Sequence, residues 1–330
     1  MIRRHALLAL ACAAAALSCG TASAQDVLGN LVLYTSQPNA DAQQTVDAFQ
    51  KAYPGVKVQW VRDGTTKIMA KLRAEFAAGQ PQPDVLLIAD MVTMAGLKKD
   101  GRLMADPEVD VSKLDAGLYD PDKTYFSTKL ITTGIVYNTS AKMVPTSYKD
   151  LLKPEARNSI AMPSPMTSGA ATITMDAITA DPDLGWAFYR KLAEQGANPQ
   201  GGNGGTYKAV AGGDKLYGFV VDFLPIRAEQ KGAPVKFVFP KEGVSAVTEP
   251  VAILKTAKNV PAAKAFVSFL LSKKGQQLAS DMGYLPADAE VTPPPGFPPR
   301  AEIKLLPFDP AKALTEDKQN KEKFLDIFGG

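Results

Sequence analysis

The chain has 330 residues, 45% of them apolar, enough for a sizeable core, and 37 basic against 34 acidic side chains leave too little net charge to mark a nucleic-acid surface. Its one histidine, His5, and its two cysteines, Cys12 and Cys19, all lie within the first 19 residues. If that leader is removed, no disulfide, no zinc site of Cys and His and no His-dependent triad is available to the rest.

The leader reads as a secretory signal. Arg3 and Arg4 form a basic n-region, and Ala6 to Leu17 is an apolar run shorter than the roughly 20 residues that span a bilayer. Ala22-Ser23-Ala24 fits a small-residue cleavage site, so residues 1–24 are expected to be removed and the chain to begin at Gln25. The competing reading is a lipoprotein anchored at Cys19, but the stretch before it lacks the leucine of a lipobox. Removal of Arg3 and Arg4 leaves 35 bases against 34 acids.

Leu31-Val32-Leu33-Tyr34 is a short apolar strand, broken by Thr35-Ser36-Gln37-Pro38. Ala42, Val46, Phe49 and Tyr53 then recur at helical spacing, and Pro54-Gly55 stops that helix. Val56, Val58 and Trp60 alternate as in a strand. Gly64-Thr65-Thr66 precedes a second helix with Ile68, Met69, Leu72 and Phe76 on one face. Val85 to Ala89 is a continuous apolar run suited to a strand buried on both faces. This alternation argues α/β architecture. Further strands are expected at 131–137, 159–162, 217–221, 235–239 and 246–253, and helices at 168–180, 184–195, 207–211 and 261–272. Five prolines between Pro293 and Arg300 mark a loop, and 317–328 reads as a final amphipathic helix.

Several segments in order resemble a known family: LVLYTSQP (Leu31–Pro38), GTTK (Gly64–Lys67), PDVLLIAD (Pro83–Asp90), TGIVYN (Thr133–Asn138), TEPVAIL (Thr248–Leu254) and AAKAFVSFLLSKKGQQ (Ala262–Gln277), the last followed by Gly283-Tyr284-Leu285-Pro286. Across nearly the whole mature chain this is similar to the extracellular solute-binding proteins grouped with ferric-iron-binding, phosphosugar-binding and aminoalkylphosphonate-binding periplasmic components. The resemblance implies a two-lobed periplasmic binding protein fold, type II-like, with two crossing strands as the hinge. It implies one lobe of about 26–125 plus 247–290 and another of about 126–246 plus 291–330. It further implies a periplasmic receptor, a monomer without cofactor, that hands a small solute to an inner-membrane permease and its ATPase.

In open α/β sheets ligands bind outside the carboxyl ends of strands, where helix N-termini favour anions. Three hydroxyl-bearing turns qualify: Ser36 and Gln37 after the first strand, Thr65 and Thr66 at the second helix, and Ser168 and Gly169 in the other lobe. Each would serve equally as an ordinary helix cap. Thr133 falls in the TGIVYN motif of the resemblance. Asn203 sits among four glycines, where backbone can approach a ligand or simply turn. Asp222 and Glu249 each interrupt an apolar run, which requires a partner, either an internal cation such as Arg227 or the ligand. Asp90 ends the third strand and is equally suited to cap Thr93. Together these residues point to an oxyanion site, and the resemblance implies a small organic anion bearing phosphate or phosphonate.

Two alternatives are carried forward. Ferric-binding members use adjacent tyrosines, yet the matching region, Tyr217 to Phe223, lacks the pair. A secreted carboxylate-dependent hydrolase would need Asp222 and Glu249 at one pocket.

Overall fold

The computed structural model describes residues 27–89, 91–115 and 117–329. The expected signal peptide and Asp90 lie outside the described residues. The first part runs β1 (Gly29–Thr35), α1 (Asn39–Ala52), β2 (Val56–Arg62), α2 (Thr65–Ala77), β3 (Val85–Leu87), α3 (Met91–Lys99), β4 (Leu103–Met104) and β5 (Tyr125–Ser127). The middle runs β6 (Lys129–Asn138), β7 (Ile160–Met162), α4 (Gly169–Ala180), α5 (Gly185–Glu194), β8 (Asn198–Pro199), α6 (Asn203–Ala211), β9 (Tyr217–Val221), α7 (Phe223–Glu229), β10 (Val235–Val238) and β11 (Ser245–Val247). The remainder is β12 (Pro250–Leu254), α8 (Val260–Leu271), α9 (Lys273–Asp281), β13 (Leu285–Pro286) and α10 (Pro310–Phe328).

These strands form two sheets. The first has the order β2-β1-β3-β12-β4, with β5 also paired to β12; the second has the order β10-β6-β9-β7-β8, with β11 and β13 also paired to β6. β1, β2 and β3 are parallel, as the buried apolar run at Val85 requires, because helices cover both faces of that sheet. Each sheet carries its own apolar core. Phe49, Phe266 and Phe269 pack edge to face beneath the first sheet. Beneath the second, Tyr148 stacks on Phe219, and Phe188 packs edge to face against both. The molecule is therefore a two-lobed mixed α/β protein.

Two adjacent segments carry the chain between the sheets, from β5 into β6 and from β11 into β12, and the chain returns to the second sheet at β13. Where they cross, the two segments are bonded together. Thr128 N and Lys129 N both donate to the Thr248 carbonyl, at 3.2 and 3.3 Å, and Thr128 Oγ1 donates to the Glu249 carbonyl at 2.8 Å.

Four differences from the sequence reading have physical causes. The strand expected over 246–253 breaks into β11 and β12, because Glu249 adopts a left-handed backbone with φ of 38°. The apolar segment around Asp222 ends at Val221, and the Asp222 side chain caps α7 by accepting from Phe223 N. The helix expected from Tyr207 starts at Asn203: the glycine-rich run is its first turn, where tertiary packing overrides poor helix propensity. The last helix starts at Pro310 rather than 317, since Asp309 accepts from Ala311 N and Lys312 N and proline fits the first helical position. Within the segment expected on the first lobe, β13 pairs with β6 of the second sheet. The tail expected on the second lobe packs there through Phe324 and Phe328 against Tyr189, but Ala313 and Leu314 join a core cluster with Val92 of α3.

Candidate functional site

A cleft of about 440 Å³ opens between the two sheets. From the first lobe it is lined by Ser36, Pro38, Arg62, Asp63, Gly64, Thr65, Lys67 and Ala89. From the second it is lined by Thr167 to Ala170, Gly201 to Gly205, Val221, Phe223 and Leu224, and its floor includes Ile131, Val247, Glu249 and Tyr284.

Three helices aim their N-termini into this cleft. α2 is preceded by Gly64 and α6 by Gly202, and neither has a side-chain cap. Hydrogen bonding begins at Ile68 N in α2 and at Gly205 N in α6. Among the described residues, the N–H groups of Thr65, Thr66, Lys67, Asn203 and Gly204 therefore find no acceptor. α4 is capped by Ser168, whose Oγ accepts from Ala171 N at 3.3 Å, leaving the N–H groups of Gly169 and Ala170. Away from the cleft, α8, α9 and α10 are closed by the side chains of Asn259, Ser272 and Asp309, while α5 has no side-chain cap. Free N–H groups at three dipole ends form a site for an oxyanion. Arg62, at the carboxyl end of β2, adds a cation whose Nε donates to the Gln37 carbonyl at 2.7 Å.

The floor has different chemistry. Glu249 is buried and bonded through Oε2 to Lys129 Nζ at 2.5 Å and to Gln37 Nε2 at 3.3 Å. Both members of the ion pair are nearly inaccessible, at 4% and 3% exposure, so it is a buried pair and not a surface one. Burial pushes the Glu249 carboxyl upward, and Lys129 opposes that shift. Oε1 of Glu249 makes no bond among the described residues, which leaves one acceptor for a ligand's O–H or N–H, while Oε1 of Gln37 is buried behind the floor without a donor. Phe223 and Tyr284, with ring centroids 4.6 Å apart, supply an apolar wall beside them.

Of the residues singled out from sequence, Ser36, Thr65, Ser168, Gly169, Asn203 and Glu249 line the cleft together. Ser36 Oγ accepts from Ala89 N at 2.9 Å. Asn203 is no surface turn: its Nδ2 donates to Ser168 Oγ at 3.1 Å and its Oδ1 accepts from Val221 N at 3.1 Å, joining the starts of α4 and α6 to the end of β9. Gln37 lies behind the floor, holding Glu249. Thr66, Thr133 and Asp222 are not on the cleft. Thr66 is half-buried in the first turn of α2. Thr133 is in the middle of β6, and its carbonyl accepts from Tyr148 at 3.2 Å. Asp222 is wholly buried and accepts from Thr132 N, Thr132 Oγ1 and Phe223 N. Burial raises its carboxyl to about 7 despite those three donors. Arg227 does not bond it; that guanidinium pairs with Asp41.

Asp222 and Glu249 therefore do not face one pocket, and the paired-carboxylate geometry of a hydrolase does not form. Among the described residues, no group of three His, Cys, Asp or Glu is placed to hold a metal ion. Tyr217 is turned inward, its hydroxyl donating to the Met143 carbonyl at 3.1 Å, and Phe223 and Leu224 line the cleft with hydrocarbon. Sequence reasoning missed Arg62, Lys129 and Tyr284. Arg62 was findable as the residue at the carboxyl end of a strand. Lys129 heads an apolar run, the same signal that exposed Glu249.

Two lobes, two crossing segments and a polar cleft between them define a receptor that encloses a small solute. The family model described as bacterial extracellular solute-binding protein matches residues 31–285, and the chain belongs to that family, one of binding proteins rather than enzymes. A putative 2-aminoethylphosphonate-binding periplasmic protein of Salmonella typhimurium is 28% identical over 271 residues, covering 77% of this chain and 76% of the relative. The fold is shared with the periplasmic binding protein AfuA of Actinobacillus pleuropneumoniae, solved with exogenous fructose-6-phosphate bound (TM-score 0.83, 24% identity, 91% of this chain and 99% of that one). It is shared also with iron-bound HitA of Pseudomonas aeruginosa (TM-score 0.77, 22% identity, 90% and 99%).

Proposed function

We propose that this protein is the periplasmic receptor of an ABC importer for a small organic anion bearing a phosphate or phosphonate group. The observation that carries the reading is the convergence of α2, α4 and α6 on one cleft, with the first and last of these left open by glycine. The oxyanion is taken by the free N–H groups of residues 65, 67, 169–170 and 203–204. The organic end lies against Phe223 and Tyr284 and donates to Glu249, which Gln37 holds from behind. The lobes close over the solute about the segments at 128 and 249, and the closed form is passed to a membrane permease with its ATPase. The relation to a putative 2-aminoethylphosphonate-binding protein supports the anion class. The lobes are proposed to divide at these crossing segments, and the first 24 residues to be the export signal.

The test is a thermal-shift panel of hexose phosphates, 2-aminoethylphosphonate, inorganic phosphate, ferric citrate and unphosphorylated hexoses. A ligand at about 100 times its Kd adds roughly 2.7 kcal/mol. Stabilisation by a phosphate or phosphonate ester, and not by the unphosphorylated sugars, is expected. Stabilisation by ferric iron or by neutral sugars alone would overturn the anion reading.

A further inference from the structure

The wall formed by Phe223 and Tyr284 has a second side. One side faces the ligand cleft, and against the other lies a bond between lobes. Asp41 is in the first turn of α1, which packs on β2 of the first sheet, while Arg227 is on α7, which packs on β9 and β10 of the second. Arg227 Nη1 donates to both oxygens of Asp41, at 3.1 and 2.9 Å, and the Tyr284 hydroxyl donates to Asp41 Oδ2. The guanidinium lies over the rings of Phe223 and Tyr284, 4.6 and 4.4 Å from their centroids. It can lie there because residue 283 is glycine, with φ of 80°: a β-carbon would stand 2.9 Å from Arg227 Nε. Lys129 Nζ, the partner of Glu249, is also over the Tyr284 ring at 4.3 Å. Tyr284 thus touches the ligand cleft, the ion pair at the crossing segments and the pair between lobes.

In this structure the lobes are together. Across the cleft mouth, a β-carbon at Gly64 of the first lobe would stand 2.7 Å from the Thr167 carbonyl oxygen of the second. The Asp41–Arg227 pair is therefore made in the closed arrangement, and hinge opening must move α7 relative to α1 and break or reshape the contact of Nη1 with the two carboxylate oxygens. Asp41 is 4% exposed in this arrangement, so the pair is a charge-assisted bond shielded from water, and opening gives it up.

We propose that Asp41–Arg227 is an interlobe strut, tied to the ligand cleft through Tyr284, that holds the lobes together and so sets affinity from outside the ligand's reach. Asp41, Arg227 and Gly283 act as positioning residues. This rests on hinge closure but not on the ligand class, so the test is run without ligand.

The only cysteines are Cys12 and Cys19, so the full chain with both changed to serine accepts a clean label pair. Ala74→Cys on α2 and Lys208→Cys on α6 place spin labels at exposed positions on opposite lobes. Pulsed dipolar spectroscopy then reads the interlobe distance. The parent should show a major short-distance population. Asp41→Asn and Arg227→Gln should move it to longer distance, lowering the closed-to-open ratio by about tenfold or more. Tyr284→Phe, which removes one hydroxyl and keeps the ring, should move it part of the way; it keeps the test valid if a charge variant does not fold. A parent already at the long distance, or folded variants indistinguishable from the parent, would overturn the strut. Failure of every panel ligand to bind would leave this measurement unaffected.

Discussion

The mouth and the floor of the cleft are built by opposite means. At the mouth, backbone N–H groups at the starts of α2 and α6 are left open by Gly64 and Gly202. Water can satisfy them when no ligand is present, so keeping them free costs little stability. At the floor, Lys129 and Glu249 are withdrawn from water and satisfy each other before any ligand arrives. Affinity at the mouth can be tuned almost without touching the fold, while the floor cannot be changed without it.

The sharpest way to break this comparison is Lys129→Met. It leaves Glu249 buried and unpaired between the two crossing segments, and stability should fall by about 3–5 kcal/mol in urea denaturation. A loss within about 0.5 kcal/mol, the usual range for a surface change, would mean the floor pair is dispensable.

A pH series probes a buried carboxyl just outside the cleft. Asp222 has its folded-state value raised from the ordinary range to about 7 by burial. The sign follows: its contribution to stability is fully present below about pH 4 and is lost as pH rises through about 7. Glu249 is shifted in the same direction. Between pH 4 and 8 the loss attributable to Asp222 should be on the order of a few kcal/mol. Asp222→Asn should flatten that slope in thermal melts across the range; an unchanged slope would assign the loss elsewhere.

At the mouth, Gly64→Ala should leave folding intact and weaken capture. Its new methyl meets the Thr167 carbonyl, and closure should lose about 1–3 kcal/mol, roughly 5- to 150-fold in Kd. Titration calorimetry with whichever panel ligand binds reads this directly, and an unchanged Kd would show that the lobes need not approach so closely. The smallest effect is expected from Ser168→Ala, which removes the α4 cap and the partner of Asn203 Nδ2, for about 1 kcal/mol of stability by urea denaturation. A change of only a few tenths would show that the cap is replaced by water.

Much of the fold was legible because hydrophobic period survives in the sequence. The apolar run at Val85–Ile88 and the alternation at Val56–Trp60 announce a parallel sheet, and Glu249 announces itself as a carboxylate inside an apolar strand. Part of the site was legible for a related reason: Ser36, Thr65 and Ser168 stand where strands end and helices begin. Asp222 gave the same signal as Glu249, yet its partners proved to be backbone and Thr132, since sequence records that a buried charge needs a partner but not which partner.

By itself, the sequence determined the α/β alternation, the two-lobed class through ordered motifs, and a chemistry without thiol or imidazole beyond the first 19 residues. The first and last follow from local periodicity and composition, and the second from the resemblance of the ordered motifs to a known family. Only the tertiary structure decided that Lys129 meets Glu249, that Arg227 meets Asp41, and that Gly64 approaches Thr167. Each of these pairs joins residues from distant parts of the chain, and the contact exists only once the crossing segments have brought the two sheets together.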